Sequence, residues 1–285
     1  MTDITNVTVL GTGVLGSQIA FQTAYSGFQV TAYDVSGEAL AKAKERFEGL
    51  IDAYRADGVE GADEGKGEQA LERIRYSADL ADAVKDADLV IEAVPEVLAI
   101  KQQTYEKLAA VAPEKTIFAS NSSTLALSDL KDFTGRPAKF IGLHFANQVW
   151  KFNTGEVMAT TDTDPAVFDT LLEFAAEIGM VPIPIRKEKP GWLLNSLLVP
   201  FLSAAQDLAF GGYAEPADID NVWRIATGAP KGPFQLLDII GLTTPYNISV
   251  NGDEHQQQIA AWLKENYIDK GKLGIATGEG FYTYE

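Results

Sequence analysis

Apolar and polar positions change period twice within the first thirty-four residues. Ile4, Val7, Val9 and Leu10 form a short run without helical spacing, which predicts a buried strand. Ile19, Ala20, Phe21 and Ala24 then recur at helical spacing. Phe28, Val30 and Tyr33 return to a strand that closes on an acid, Asp34. The alternation continues. Residues 38–55 read as a long helix, and a charged, glycine-rich stretch over 57–67 reads as an excursion away from the sheet. Residues 88–94, 116–120 and 139–144 read as buried strands, while 156–159 and 181–185 extend the sheet. Strands alternating with helices predict an α/β fold, a doubly wound parallel sheet with helices on both faces.

The pattern changes at the charged linker Arg186-Lys-Glu-Lys-Pro-Gly191. Beyond it Leu194, Leu197, Leu198, Phe201, Ala205 and Leu208 draw one apolar helical stripe, and further helices are expected near 216–226, 234–240 and 256–267. The chain therefore divides into residues 1–187, with a helical excursion over about 36–75, and an all-helical C-terminal domain over 188–285.

The turn between the first strand and helix is Gly11-Thr-Gly13-Val14-Leu15-Gly16. In a strand–turn–helix, Gly11 permits the tight turn, Gly13 lets backbone approach a pyrophosphate, and Gly16 lets the helix pack on the strand. Val14 and Leu15 open the helix, whose free N–H groups and partial positive charge favour a diphosphate. Asp34 would accept hydrogen bonds from the adenine ribose and repel a 2′-phosphate, so the N-terminal domain is expected to be of Rossmann type with NAD as cofactor.

Composition narrows the function classes. Forty acids against twenty-three bases give a formal charge of −17, which argues against a nucleic-acid partner. An anionic substrate would need a local basic patch. The absence of cysteine excludes disulfides and thiolate chemistry and fits a cytoplasmic protein. The N-terminus lacks a secretory pattern, and no apolar run approaches the ~20 residues of a membrane span, so no membrane partner is expected.

There are two histidines. His255 lies in a polar stretch and reads as surface. His144 ends a predicted strand, where ligands gather in open α/β sheets. Glu156 follows twelve residues on, so a strand–loop–strand can bring its carboxylate to the imidazole, fixing one tautomer and raising the basicity of the other nitrogen. That arrangement suits removal of a hydroxyl proton as hydride leaves the same carbon. Asn121-Ser122-Ser123-Thr124 also follows a strand; it can offer a hydroxyl to substrate or serve as a helix N-cap.

The blocks GTGVLGSQIA, IEAVPEVLAIKQ, IFASNSSTL, HFANQVWKFNTGEVM, KPGWLLNSLLVPFL, APKGPFQLLDIIGL and TGEGFY resemble the L-3-hydroxyacyl-CoA dehydrogenase family, which includes the 3-hydroxybutyryl-CoA dehydrogenases, nearly end to end. The resemblance implies NAD-dependent interconversion of a 3-hydroxyacyl-CoA and its 3-oxoacyl-CoA, as in fatty acid metabolism. His144 and Glu156 match the family's acid/base pair, Ser123 its serine touching substrate and cofactor, and Asn147 an asparagine near the carbonyl and cofactor. Asn195 matches the asparagine of the second domain that orients the substrate oxygen. Glu96 and Lys101 match an acid and a lysine beside the cofactor. A homodimer through the helical domain is also implied.

The chain departs from the family pattern in four places: Ile275-Ala276 stand where a lysine usually precedes TGEGFY, Lys231 replaces the usual apolar residue before Gly-Pro-Phe, and two longer stretches differ. The block after His144 usually reads His-Phe-Phe-Asn-Pro, and here reads His-Phe-Ala146-Asn147-Gln148-Val-Trp150-Lys151. The excursion, which in the family carries bases for the phosphorylated adenosine of CoA, here carries six acids between Phe47 and Gly65 and one base, Arg55. A second reading therefore keeps the redox chemistry on a free 3-hydroxy acid or sugar acid, with Lys151 or Lys231 holding its carboxylate. A third is an NAD-binding protein without catalysis.

Overall fold

The computed structural model describes residues 1–284. Its first unit, Met1–Leu193, opens β1 (Asn6–Leu10), α1 (Val14–Tyr25), β2 (Gln29–Tyr33), α2 (Gly37–Ala56), α3 (Lys66–Glu72) and β3 (Ile74–Ser77). It continues through α4 (Leu80–Val84), β4 (Leu89–Glu92), α5 (Leu98–Val111), β5 (Ile117–Ser120), β6 (Phe140–Phe145), β7 (Thr154–Ala159), α6 (Pro165–Glu177) and β8 (Val181–Ile185). The eight strands lie in the order β3-β2-β1-β4-β5-β6-β7-β8. All pairings are parallel except β6 with β7. Near-continuous apolar strands such as Leu89–Glu92 are buried because helices cover both faces.

That single antiparallel pair modifies the expected all-parallel sheet. A short connection joins His144 to Glu156, too short for a crossover helix, so the chain must turn back. The strand β3 and helix α3 were not legible beforehand, since β3 has only four residues with one of them, Arg75, exposed. The excursion leaves the sheet but packs closely on α1. Phe47 and Tyr54 of α2 are fully buried, and Tyr54 meets Phe21 edge-on at 5.0 Å and donates to Gln22 Oε1 at 2.6 Å.

The second unit begins at Leu194 and consists of α7 (Trp192–Phe210), which starts at the end of the first unit, α8 (Pro216–Thr227), α9 (Pro233–Ile240), α10 (Thr243–Val250) and α11 (Glu254–Asn266). The break falls beyond the charged linker because Trp192 and Leu193 bond to residues of the first unit (below). Leu202, Ala205, Ile219, Phe234, Leu237 and Leu242 form the core of the second unit. Along the α7 stripe Ala205 is buried, but Leu194, Leu197 and Leu208 are exposed. The 19 residues of α7 are long and apolar enough to cross a membrane by length and composition. This corrects the expectation that no run approaches a span. Asn195, Ser196, Ser203, Gln206 and Asp207 break up the apolar letters without lowering the average below that of a spanning helix.

Candidate active site

The glycine turn is built as a nucleotide cradle. Gly11 has φ +90°, and a Cβ there would meet the Ala93 carbonyl oxygen at 2.6 Å; one on Gly16 would meet the Gly11 oxygen at 1.9 Å. On Gly13 a Cβ would meet nothing within 4 Å, so that face of the turn is open for a ligand, beside the start of α1 at Val14 and Leu15. The Asp34 Oδ2 accepts from Thr12 N at 2.8 Å and from Thr12 Oγ1. A cavity of about 320 Å³ follows, lined by Thr12, Gly13, Asp34, Ser36, Lys42 and Arg46 among others. Its acid and the N-terminus of α1 beside it fit the adenine ribose and diphosphate of NAD. Ser36, Lys42 and Arg46 were missed by the sequence reading. They lie at the start and along one face of α2, and no motif marks that face.

His144 stands at the other end of the sheet's binding edge, on β6. It lies directly opposite Glu156 in the antiparallel ladder, and its Nδ1 is 2.9 Å from Glu156 Oε2. A carboxylate only accepts, so Nδ1 carries the proton and Nε2 is left for chemistry. Nε2 sits 3.1 Å from Ser123 Oγ. The other Glu156 oxygen accepts the backbone N–H of Leu193 at 2.8 Å, which locks the carboxylate. Both side chains are almost fully buried.

Trp192 completes this arrangement, and the sequence reading gave it no role. Its ring stacks on the imidazole at 5.0 Å and 15°, and its Nε1 donates to the Ser122 carbonyl at 2.7 Å. Trp192 adopts φ 55°, a conformation that costs a non-glycine residue roughly 1–3 kcal/mol. Gly142 makes room for it, since a Cβ there would lie 2.4 Å from the indole. The available signal was Pro190-Gly191-Trp192, a turn entering a helix next to the predicted strands.

Under the ends of β4 and β5 lies a polar cluster. Lys101 is only 1% exposed, and its ammonium pairs with buried Glu92 and lies 3.3 Å from Glu96 Oε2. Glu92 also accepts from Ser120 Oγ at 2.8 Å and Tyr105 OH at 3.2 Å. Burial pushes the Tyr105 phenol well above its ordinary range, and the Glu92 charge adds to this. Lys101 thus supports the floor of the site rather than lying open beside a cofactor, because β4 and α5 enclose it. Glu96 is exposed at the edge of this cluster. Partial desolvation favours its neutral form, but bonds from Ser122, from Thr124 and the Lys101 charge outweigh that and hold its carboxyl down at about 2. The serine cluster is no N-cap; Ser122 Oγ serves Glu96 and Ser123 Oγ serves His144.

The remaining candidates separate. Asn147 is exposed in the β6–β7 loop. The Lys151 ammonium is taken up by Asp57 Oδ1 at 2.7 Å, which removes it as a free carboxylate holder. Lys231 is exposed ahead of α9 and Asn195 lies on α7, both in the second unit. His255 is exposed and pairs with Asp207 at 3.0 Å. Among the described residues no group of acids and histidines is placed to hold a metal ion.

A doubly wound sheet, a glycine turn opening a helix and an acid ending the second strand define a nicotinamide-dependent oxidoreductase. More specifically, the chain belongs to the 3-hydroxyacyl-CoA dehydrogenase family, whose members are NAD-dependent and act on CH–OH groups. The description "3-hydroxyacyl-CoA dehydrogenase, NAD binding domain" matches residues 6–189, and the C-terminal domain of the same family matches 191–284. The mitochondrial hydroxyacyl-coenzyme A dehydrogenase of Rattus norvegicus is 36% identical over 290 residues, covering 99% of this chain and 92% of the relative. A Mesorhizobium japonicum dehydrogenase of 5-formyl-3-hydroxy-2-methylpyridine 4-carboxylate is 32% identical, covering 99% and 91%. Among solved structures, a diketoreductase described as catalysing reactions of dicarbonyl compounds is 64% identical, with TM-score 0.97 and full coverage of both chains.

Proposed function

We propose that this enzyme interconverts a small dicarbonyl compound and its hydroxy-carbonyl partner, using NAD(H), on a substrate that carries no CoA. The supporting observation is the Glu156–His144–Ser123 row together with the stretch from Phe47 to Gly65, whose one base, Arg55, is already paired. Arg55 is bound by Glu68 and Asp52, Lys151 by Asp57, and Lys66 lies over the Tyr25 ring at 4.5 Å. A polyanionic thioester gains little from Arg55 and Lys151, whose charges are already paired with carboxylates. The similarity to the diketoreductase points the same way, whereas the rat relative keeps the CoA thioester as the second reading.

Bound NADH supplies the hydride that reaches the carbonyl carbon. His144 Nε2 delivers a proton to the carbonyl oxygen as the hydride arrives, which gives the alcohol. Glu156 steadies the imidazolium before transfer, and Ser123 Oγ is within reach to orient the same oxygen. In the reverse direction His144 takes the hydroxyl proton. Trp192 excludes water from one face of the ring. Asn147 and Glu96 are assigned as cofactor contacts.

NADH oxidation followed at 340 nm with acetylacetone, free acetoacetate and acetoacetyl-CoA in parallel tests this reading. We expect turnover of the diketone to exceed that of the thioester. Preferential turnover of acetoacetyl-CoA would overturn the substrate assignment and leave the acid/base pair standing.

A further inference from the structure

Two of the departures from the family pattern, one after His144 and one in the excursion, meet at a single carboxylate. Asp57 caps the C-terminus of α2. Its Oδ2 accepts from the Trp150 indole N–H at 2.8 Å, and its Oδ1 from the Lys151 ammonium at 2.7 Å. The Trp150 ring packs on Tyr54 of the same helix, 4.9 Å between centroids. A carboxylate at a helix C-terminus faces the negative end of the helix dipole, so Asp57 does nothing for α2 by itself. Its two donors come from the β6–β7 loop, and bonds from Lys151 and then Trp150 hold its carboxyl below the usual range.

The same loop is fastened at a second point. Gln148 takes φ 59°, and its backbone N–H donates to Gln18 Oε1 of α1 at 2.7 Å. Val149 between the two fastenings is buried. Asn147 lies immediately before them, and His144 and Glu156 lie on the strands that the loop joins. The loop conformation is therefore tied to α1 and α2, and the loop joins the two strands that carry the reacting pair.

We propose that Asp57 is a positioning residue for substrate: by holding Trp150 and Lys151 with one carboxylate, it fixes the β6–β7 loop and so places Asn147, which follows His144 at the start of that loop. The proposal rests on the reading of His144 and Glu156 as the reacting pair. It predicts a division of effects. Loss of the latch loosens substrate capture while the proton-transfer pair, held by the β6–β7 ladder and by Leu193, keeps its geometry.

The test uses the full-length Asp57→Ala enzyme with whichever carbonyl substrate the wild type turns over. The expected result is a KM raised about three- to tenfold, with kcat and its pH profile within twofold of wild type. NADH affinity, read by fluorescence, should be unchanged. Asp57→Asn, which keeps an acceptor for Trp150 and loses the ion pair, should fall between. Trp150→Phe and Lys151→Met each remove one donor, and should raise KM by a smaller factor if Asp57→Ala does not fold. An unchanged KM across these variants overturns the proposal, and so does an equal loss of kcat and NADH binding, which would mark a purely structural bond. A wild type that prefers acetoacetyl-CoA would overturn the substrate reading alone, since the KM comparison is then made on that thioester.

Discussion

At the scale of residues, His144 carries its proton on the nitrogen facing Glu156 and presents the other to Ser123. General acid/base assistance is worth about 10²–10⁴-fold. His144→Gln should therefore lower kcat by that order while leaving NADH affinity intact; normal turnover in that variant would sink the assignment. Lys101 makes a different prediction. Lys101→Met strands the Glu92 charge in a fully enclosed site, and removal of one partner of a buried pair costs about 3–5 kcal/mol. Denaturant unfolding should show a large stability loss, partly restored by adding Glu92→Gln, which removes the stranded charge.

The acids also set a pH limit. Asp88 is desolvated, which raises its pKa, but bonds from Lys115, from the backbone N–H groups of Asn6 and Thr5 and from the Thr5 hydroxyl bring it down to about 2. Glu96 is likewise near 2. Both values lie below those of the unfolded chain, so their contribution is complete above about pH 4.5 and is lost as pH falls towards 2. Thermal unfolding across that window should show the melting temperature falling with acid. Asp88→Asn should flatten part of the slope and cost about 1–2 kcal/mol at neutral pH. An unchanged slope in that variant would refute the role given to Asp88.

At the scale of elements, the start of α7 is where the chemistry meets the fold. Trp192 lies against His144, and the Leu193 N–H holds Glu156. Gly142→Ala pushes a methyl into the indole, an overpacking worth about 1–3 kcal/mol; activity should drop with stability because the displaced ring lies on the imidazole. Two sequence blocks that looked independent, around Pro233–Ile240 and at Gly278–Tyr282, prove to be one structure. Asp220 accepts from Phe234 N and Tyr282 OH, while Asp238 accepts from the backbone of Phe281 and Tyr282. Spacing along the chain does not reveal such pairings, since a buried acid that binds backbone N–H groups has the same letter as a surface one.

At the scale of the whole molecule, Leu194, Leu197 and Leu208 on α7 and Val222 and Ile225 on α8 are exposed, and contiguous apolar surface marks interfaces. We expect two copies to associate through this face. Light scattering should give about twice the 30.8 kDa chain mass, and Leu197→Glu should shift it towards the monomer. The sequence by itself determined the strand–helix alternation and the glycine turn with Asp34; it offered Glu156 as a partner for His144 and a boundary at 187/188, whereas the compact units meet at Leu193 and Leu194. These rest on local periodicity and on residues whose chemistry is rare enough to stand out. Only the tertiary structure decided that β7 runs antiparallel, that Lys101 is sealed against Glu92, that Lys151 is spent on Asp57, and that Trp192 covers the histidine. Each of those depends on which distant side chain occupies the space beside it, and burial and charge compensation are set by the packed chain rather than by neighbours in sequence.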